Sequence, residues 1–145
     1  MIKGSFDLST RRPYLQGLLL FPNLHLRGRV DFLVDTGSDC TILHPADAAL
    51  IGVEYKNLKG AVPAKGTTGI SSNYQESGLL LFLEENGRIP VYRVRILIAP
   101  RTEDNYDLPS LLGRDVLDKW RMLYDPNRNR LEFIVIRADA ILRAK

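Results

Sequence analysis

Cysteine and histidine are scarce in this chain of 145 residues, which has one cysteine and two histidines. The single cysteine, Cys40, rules out an intramolecular disulfide and any metal site built from several cysteines. No group of His and Cys residues has metal-ligand spacing, and a Ser-His-Asp triad would have to use His25 or His44. We therefore expect no metal and no cofactor.

Long apolar runs are also missing. The longest near the amino terminus, residues 18–21, is far shorter than the ~20 residues that a transmembrane helix needs. Arg11 and Arg12 precede it, as in a signal peptide, but Pro22 and Asn23 interrupt the apolar run. We therefore expect no membrane segment, no signal peptide and a cytoplasmic location.

The chain has only a small excess of positive charge: its net charge is +3, from 20 basic and 17 acidic residues. The densest basic group is spread over a predicted hairpin and comprises Arg121, Arg128, Arg130 and Arg137. A nucleic-acid site needs a denser basic stripe with stacking aromatic residues. We expect no nucleic-acid partner, although a nucleic-acid-associated structural protein is an alternative that weak, salt-independent binding would exclude.

The length and an apolar fraction of 45% suit one globular domain over residues 1–145. Many short apolar segments separated by glycine-rich turns indicate an all-β barrel or sandwich with one or two short helices. The pattern over residues 24–34 predicts a hairpin that turns near Arg27-Gly28 and runs into Asp35.

Turn and helix signals divide the rest of the chain. Residues 45–52 begin with proline and end with glycine, which predicts a short helix. Asn86-Gly87 predicts a tight hairpin turn. Residues 116–120 fit one or two helical turns, and residues 137–145 fit either a helix or a loose tail.

One segment suggests chemistry, because the apolar run of residues 32–34 ends abruptly in Asp35-Thr36-Gly37. Gly37 permits a tight turn and leaves its N–H accessible to the carboxylate, and Thr36 can hydrogen-bond across a symmetry axis. By itself the triplet is also compatible with an ordinary Asx or ST turn after a strand.

A second motif, Leu-Leu-Gly-Arg-Asp, occupies residues 111–115. Together the two motifs resemble the retropepsin family, single-domain aspartic proteases of retroviruses with cellular relatives. The resemblance covers roughly residues 13–136. A Gly-rich hairpin at about residues 66–78 lies where that family has its flap, and residues 111–133 look like the cellular ubiquitin-linked retropepsins.

The resemblance implies a retropepsin-like closed β-barrel or sandwich in which Asp35 is the catalytic carboxylate and Asp39 pairs with Arg114. A guanidinium can grip a carboxylate with two hydrogen bonds, so the pair would pin the active-site turn to the second motif. The alternative is that Arg114 is a solvated residue at the start of a helix. We interpret Asp115 as a helix-start residue rather than as a second catalytic acid.

The chain has a single Asp-Thr-Gly, so the implied active site needs a homodimer in which two Asp35 carboxylates share a proton. We expect the Ser38 hydroxyl to donate a hydrogen bond to the ionised Asp35, and from this bond we expect an acidic pH optimum. The implied activity is an aspartic endopeptidase, a hydrolase of peptide or protein substrates. The alternative is a catalytically silent dimer that binds peptides or proteins.

Three flap residues are predicted to cover the substrate, namely Gly69, Ile70 and Tyr74, unless they are ordinary loop residues. Cys40 either lines a substrate pocket or is a small packed core residue.

Overall fold

A computed structural model of the chain describes residues 1–59, 61–66 and 69–144, with the side chains of residues 1–59 and 73–144. Strands dominate this part of the chain, as the predicted all-β class requires. In chain order the elements are β1 (Ile2–Lys3), β2 (Ser5–Phe6), β3 (Pro13–Phe21), β4 (Leu26–Val34), β5 (Ile42–Leu43), α1 (Pro45–Ile51), β6 (Ala61–Gly66), β7 (Gly69–Leu81), β8 (Arg88–Ile98), β9 (Leu111–Leu112), α2 (Arg114–Leu117), β10 (Trp120–Asp125), β11 (Arg130–Val135) and β12 (Ala140–Arg143).

Six strands form a closed barrel. They pair in the order β8, β5, β9, β4, β3 and β7, and β7 pairs back to β8. Closing a sheet on itself removes its edges. β6 and β12 lie outside this ring, where β6 pairs with β7 and β12 pairs with β8. The all-β fold class with short helices is confirmed.

Alternation along β8 builds one wall of the core. Tyr92, Ile96 and Ile98 are fully buried, whereas Arg93 and Arg95 are exposed on the opposite face. Burying each large apolar side chain contributes roughly 1.5–3 kcal/mol. The strand therefore divides into a core face and a wet face.

A second sheet packs against the barrel. It has three strands in the order β1-β11-β10, all antiparallel. Trp120 joins the two layers, because its ring lies 4.9 Å from Phe82 of the barrel side and 5.1 Å from Phe133 of β11. The Trp120 Nε1–H also donates to the hydroxyl of Tyr92 at 2.6 Å.

The first hairpin turns where the sequence prediction did not place it. The prediction of a turn near Arg27-Gly28 is wrong, because the chain turns through a 3-10 segment at Pro22–Leu24, after which His25 adopts a left-handed φ of 55°. Gly28 lies inside β4, where a Cβ would come within 2.8 Å of the Ile51 side chain. The glycine therefore allows α1 to approach β4 closely.

Three other boundaries are settled by the structure. The predicted helix α1 ends at Ile51 and is capped by Gly52, whose φ is 99°. The predicted helical bounds of residues 116–120 are wrong, because α2 covers Arg114–Leu117 and Trp120 already begins β10. The end of the chain is neither helix nor loose tail, because β12 pairs antiparallel with β8 and places Ile141 opposite Pro90. Within the described residues, no helix is long and apolar enough to cross a membrane.

Candidate active site

Asp35 directly follows the last residue of a central barrel strand. β4 pairs parallel with β9, which sets Val34 opposite Leu112. The backbone N–H of Asp35 donates to the carbonyl of Leu112 at 3.0 Å, and that of Leu33 donates to the carbonyl of Ser110 at 2.8 Å. The second sequence motif therefore holds the backbone on which the candidate carboxylate is mounted.

The turn after Asp35 contacts its carboxylate. The Gly37 N–H donates to Asp35 Oδ1 at 2.9 Å, the contact predicted for this turn. This bond fixes the orientation of the carboxylate relative to the turn. Asp35 is only partly buried, so its carboxylate remains accessible.

Ser38 has a different partner from the one predicted. Its hydroxyl donates to the carbonyl of Cys40 at 2.7 Å rather than to Asp35. A serine hydroxyl has one proton to donate, so this bond takes the proton that the prediction assigned to Asp35. The Ser38 carbonyl accepts from the Arg114 N–H at 2.8 Å, and Ser38 thus shapes the loop and links it to α2.

Arg114 grips the turn at three points. Besides its backbone bond to Ser38, its guanidinium forms an ion pair with Asp39 and donates to the carbonyl of Thr36 at 3.3 Å. The side chains are 44% and 81% exposed, for Arg114 and Asp39 respectively. Water screens a pair this exposed, which limits its contribution to stability to about 1 kcal/mol or less. Its consequence is geometric: the turn is tied to α2.

The sequence interpretation missed a buried brace behind the turn. Asp115 accepts from the N–H of Thr41 at 2.9 Å and from its hydroxyl at 2.7 Å. Thr41 is fully buried, and its hydroxyl oxygen accepts from the Gly113 N–H at 3.3 Å. Asp115 does more than start a helix, because it ties the segment after the Asp35 turn to the second motif.

A second set of hydrogen bonds joins α1 to the residues before β9. The Ser110 hydroxyl donates to Asp47 at 2.6 Å and accepts from the His44 N–H at 2.9 Å. The His44 Nδ1 lies 2.6 Å from the carbonyl of Pro109, so this nitrogen carries the proton. His44 therefore has a structural role. In the sequence, these two sets of bonds could have been inferred only from the polar residues that flank the two motifs, such as Thr41, Ser110 and Asp115.

Asp35 opens onto a cavity of about 480 Å³. Its remaining walls are mainly apolar and come from the turn, the start of β3 and the edge strand β10. The lining residues are Pro13, Val34, Asp35, Thr36, Met122 and Tyr124.

The hairpin predicted as a flap is formed by β6 and β7, whose paired residues run from Ala61 opposite Tyr74 to Gly66 opposite Gly69. From Tyr74 onward β7 pairs with β8. Residues 75–78 of the predicted flap of residues 66–78 therefore belong to the barrel and not to this hairpin. Residues 67 and 68 and the side chain of Ile70 lie outside the described residues.

Tyr74 lies at the base of this hairpin. Its ring packs 5.6 Å from that of Tyr55, centroid to centroid, and Tyr55 donates its hydroxyl to the carbonyl of Ala99 at 2.9 Å. Burial raises the pKa of the Tyr55 hydroxyl. Tyr74 therefore anchors the hairpin to the barrel through packing.

The environment of Cys40 does not favour a cysteine nucleophile. Burial, and then the negative charge of Asp115, raise the pKa of the Cys40 thiol, which disfavours a thiolate nucleophile. Among the described residues, no three His, Cys, Asp or Glu side chains are placed to hold a metal ion.

No family model and no curated protein sequence matches this chain. Among solved structures, it is similar to a retropepsin-like aspartic protease from Rickettsia conorii, with a TM-score of 0.56, 18% identity and coverage of 92% of this chain and 88% of that one. EIAV protease complexed with the inhibitor HBY-793 gives a TM-score of 0.48 and 19% identity over 77% of this chain and 90% of that one. The likeness to the Rickettsia protein confirms the predicted retropepsin-like fold.

Proposed function

We propose that this protein is an aspartic endopeptidase whose active site is formed by Asp35 from two copies of the chain. One observation carries the proposal: in a retropepsin-like fold, Asp35 ends a barrel strand and opens onto a cavity of about 480 Å³. Two hydrogen bonds hold the turn in place, from the Gly37 N–H to the Asp35 carboxylate and from the Arg114 guanidinium to the Thr36 carbonyl. A carboxylate fixed in this way is suited to acid–base chemistry.

A second copy is required because one carboxylate cannot act as acid and base at once. Asp39 and Asp115, the other acidic residues beside the turn, are engaged with Arg114 and with Thr41. The sequence contains no second Asp-Thr/Ser-Gly. A two-fold axis would bring the same turn from each copy to one place.

The reaction then follows from the chemistry of two adjacent carboxylates. Like charges at close range cannot both ionise easily, so the pair shares one proton. The ionised Asp35 removes a proton from water, whose oxygen bonds to the scissile carbonyl carbon. The protonated Asp35 donates to the carbonyl oxygen. When the C–N bond of the tetrahedral intermediate breaks, the Asp35 that took the water proton passes it to the nitrogen, which leaves as the amine. The other Asp35 takes back a proton from a hydroxyl of the intermediate as the carboxylic acid product forms, so the pair again shares one proton.

The hairpin of β6 and β7 is proposed to cover an extended peptide as a flap. An extended substrate can hydrogen-bond through its backbone, and apolar pockets then set which side chains fit. In this proposal Gly69 and Ile70 belong to the covering segment, and Tyr74 supports it from the base.

Digestion of a peptide library between about pH 4 and pH 7 tests the proposal, with the wild type compared to Asp35→Asn. Cleavage by Asp35→Asn should fall at least about 100-fold, since a positioned acid or base contributes roughly 10²–10⁴ in rate. Asp31→Asn is the matched control, because Asp31 is an exposed carboxylate on the same strand. Equal cleavage by wild type and Asp35→Asn removes Asp35 from the mechanism, and peptide binding without cleavage by the wild type favours a binding module.

A further inference from the structure

The three-stranded sheet ends on β10, which also lines the cavity at Asp35. We propose that two copies of this chain associate by antiparallel pairing of β10 with β10, with the two-fold axis passing beside Leu123. The inference deepens the proposed function and rests on it, since it states how the second Asp35 reaches the site.

The hydrogen-bond pattern of the sheet fixes which backbone groups of β10 face outward. The carbonyl of Leu131 accepts from the Gly4 N–H at 2.8 Å, so Leu131 directs its backbone groups toward β1. Backbone groups of successive strand residues point to opposite sides. Glu132 therefore faces β10, where Leu123 is its partner in the register.

It follows that the neighbours of Leu123 direct their backbone groups away from β11. Met122 and Tyr124 present N–H and C=O groups to the outer edge of β10, where no other described strand pairs with them. Exposed edges of this kind are templates for pairing with a further strand.

The side chains of the same segment are apolar on both faces. Met122, Leu123 and Tyr124 are 38%, 41% and 51% exposed. Met122 and Tyr124 point to the face that carries the Asp35 cavity, and Leu123 lies on the opposite face. An edge strand with apolar residues on both faces is suited to burial against another strand.

The strand is also complementary to itself. Pairing about Leu123 sets Met122 opposite the partner's Tyr124, which joins two residues whose backbone groups face outward. The same register sets Arg121 opposite the partner's Asp125. Opposite charges directly across an antiparallel pair are favourable, and the two-fold axis produces this contact twice.

The other terminal strands, β1 and β12, are also edge strands, with β11 and β8 as their respective partners within the subunit. Unlike β10, neither of them lines the cavity at Asp35. A stable interface buries roughly 1,200–2,000 Å² in total, more than one strand pair provides, so it must extend beyond β10. Three cavity residues adjoin β10, namely Pro13, Val34 and Thr36, and they are the natural extension toward Asp35.

Disulfide trapping tests the register. In a Cys40→Ser background, which leaves no native cysteine, Leu123→Cys would face its own copy across the axis. Directly opposed residues of a non-hydrogen-bonded pair have Cα atoms about 4.5 Å apart, within the range of a disulfide. Mild oxidation should give a covalent dimer on a non-reducing gel.

The matched control is Leu142→Cys in the same background. Leu142 is 50% exposed on β12, the edge strand next to β8, away from the Asp35 cavity. We expect it to cross-link far more slowly than Leu123→Cys. Equal or faster trapping at Leu142 would overturn the β10 pairing.

Charge reversal tests the same register without cysteine. Arg121→Glu and Asp125→Lys should each raise the dimer dissociation constant at least about tenfold in sedimentation, and the double variant should restore it. Rescue separates the cross-axis contact from a local role of Asp125 in its turn. Absence of rescue, or an unchanged dissociation constant in both single variants, counts against the pairing.

Asp35→Asn separates this inference from the proposed function. It should dimerise and cross-link through Leu123→Cys like the wild type, while losing cleavage. A dimer that traps at position 123 but never cleaves refutes the protease and leaves the pairing standing. A cleaving enzyme that does not trap there refutes the pairing alone.

Discussion

Asp115 accepts two hydrogen bonds from one threonine, Thr41, through the N–H at 2.9 Å and the hydroxyl at 2.7 Å. These residues flank the candidate active site, one just after the Asp35 turn and one in the first turn of α2. Thr41 is fully buried and Asp115 is half-buried, so each bond matters more than it would on the surface.

Thr41→Val should therefore destabilise the protein while preserving side-chain shape. The variant leaves Asp115 and the Gly113 N–H without the hydroxyl, and an unsatisfied buried group costs about 1–3 kcal/mol. Urea denaturation measures the loss. Thr102→Val, at an exposed threonine, is the control and should change stability by less than about 0.5 kcal/mol. Equal effects of the two substitutions would mean that the brace contributes nothing.

Arg114→Lys should affect activity more than stability. Lysine keeps the charge but cannot reproduce the planar fork that contacts Asp39 and the Thr36 carbonyl together. Because the pair is exposed, the free energy of unfolding should change by about 1 kcal/mol or less. We expect kcat/KM for peptide cleavage to fall roughly 10-fold or more as the turn loosens.

Arg95→Lys is the matched control for that experiment, since Arg95 is exposed on the outer face of β8. Its kcat/KM should equal that of the wild type. A kcat/KM for Arg114→Lys that also stays at the wild-type value would show that the guanidinium geometry is irrelevant to the site.

The sequence predicted those parts of the fold that are encoded locally. The alternation of Tyr92, Val94 and Ile96 was readable because one face of β8 looks into the barrel. Gly28 was misinterpreted because its role is a tertiary contact with Ile51. Strand β12 could not be recognised, since all its residues are exposed and only its pairing with β8 defines it.

The candidate site divides in the same way. Asp35 and Gly37 are neighbours in the chain, so their contact could be predicted from the turn alone. The bonds between Thr41 and Asp115 join residues that only the folded topology brings together. Two acceptors lie near the Ser38 hydroxyl in the chain, the Asp35 carboxylate and the Cys40 carbonyl. Only the folded conformation of the loop determines that the hydroxyl bonds to the Cys40 carbonyl.

Gly113→Ala should be more damaging than Gly28→Ala. A Cβ at Gly113 would lie 2.5 Å from the backbone carbonyl of Cys40, whereas at Gly28 it would lie 2.8 Å from the side chain of Ile51. A side chain can shift at a cost of about 1–3 kcal/mol. The Cys40 backbone cannot shift without moving the Asp35 turn.

We therefore expect Gly113→Ala to lose both stability and cleavage, and Gly28→Ala to lose stability while retaining most of its cleavage. Thermal unfolding and peptide digestion, measured on the same samples, distinguish the two. Because the φ of Gly113 is −97°, alanine fits its backbone conformation, and any loss reports the contact with the Cys40 segment. Full cleavage by Gly113→Ala would contradict this close approach.

Asp7 should set part of the response of the protein to acid. Its carboxylate accepts from the N–H of Thr10, at 2.8 Å, and from the hydroxyls of Ser9 and Thr10, and these bonds lower its pKa from 3.8 to about 2. A depressed folded-state pKa means that this stabilisation is complete above about pH 4 and is lost as the pH falls toward 2. The turn also bonds to the β10–β11 hairpin, since Arg11 donates to the Pro126 carbonyl at 2.7 Å.

Asp7→Asn removes the titrating group, so its urea midpoint should fall less than that of the wild type between about pH 5 and pH 2.5. Above pH 5 the variant should be the less stable protein, because an amide oxygen is the weaker acceptor. Asp104→Asn, at an exposed loop carboxylate, should keep the wild-type pH dependence. If Asp7→Asn and the wild type lose stability in parallel on acidification, the Asp7 turn does not contribute to the acid response.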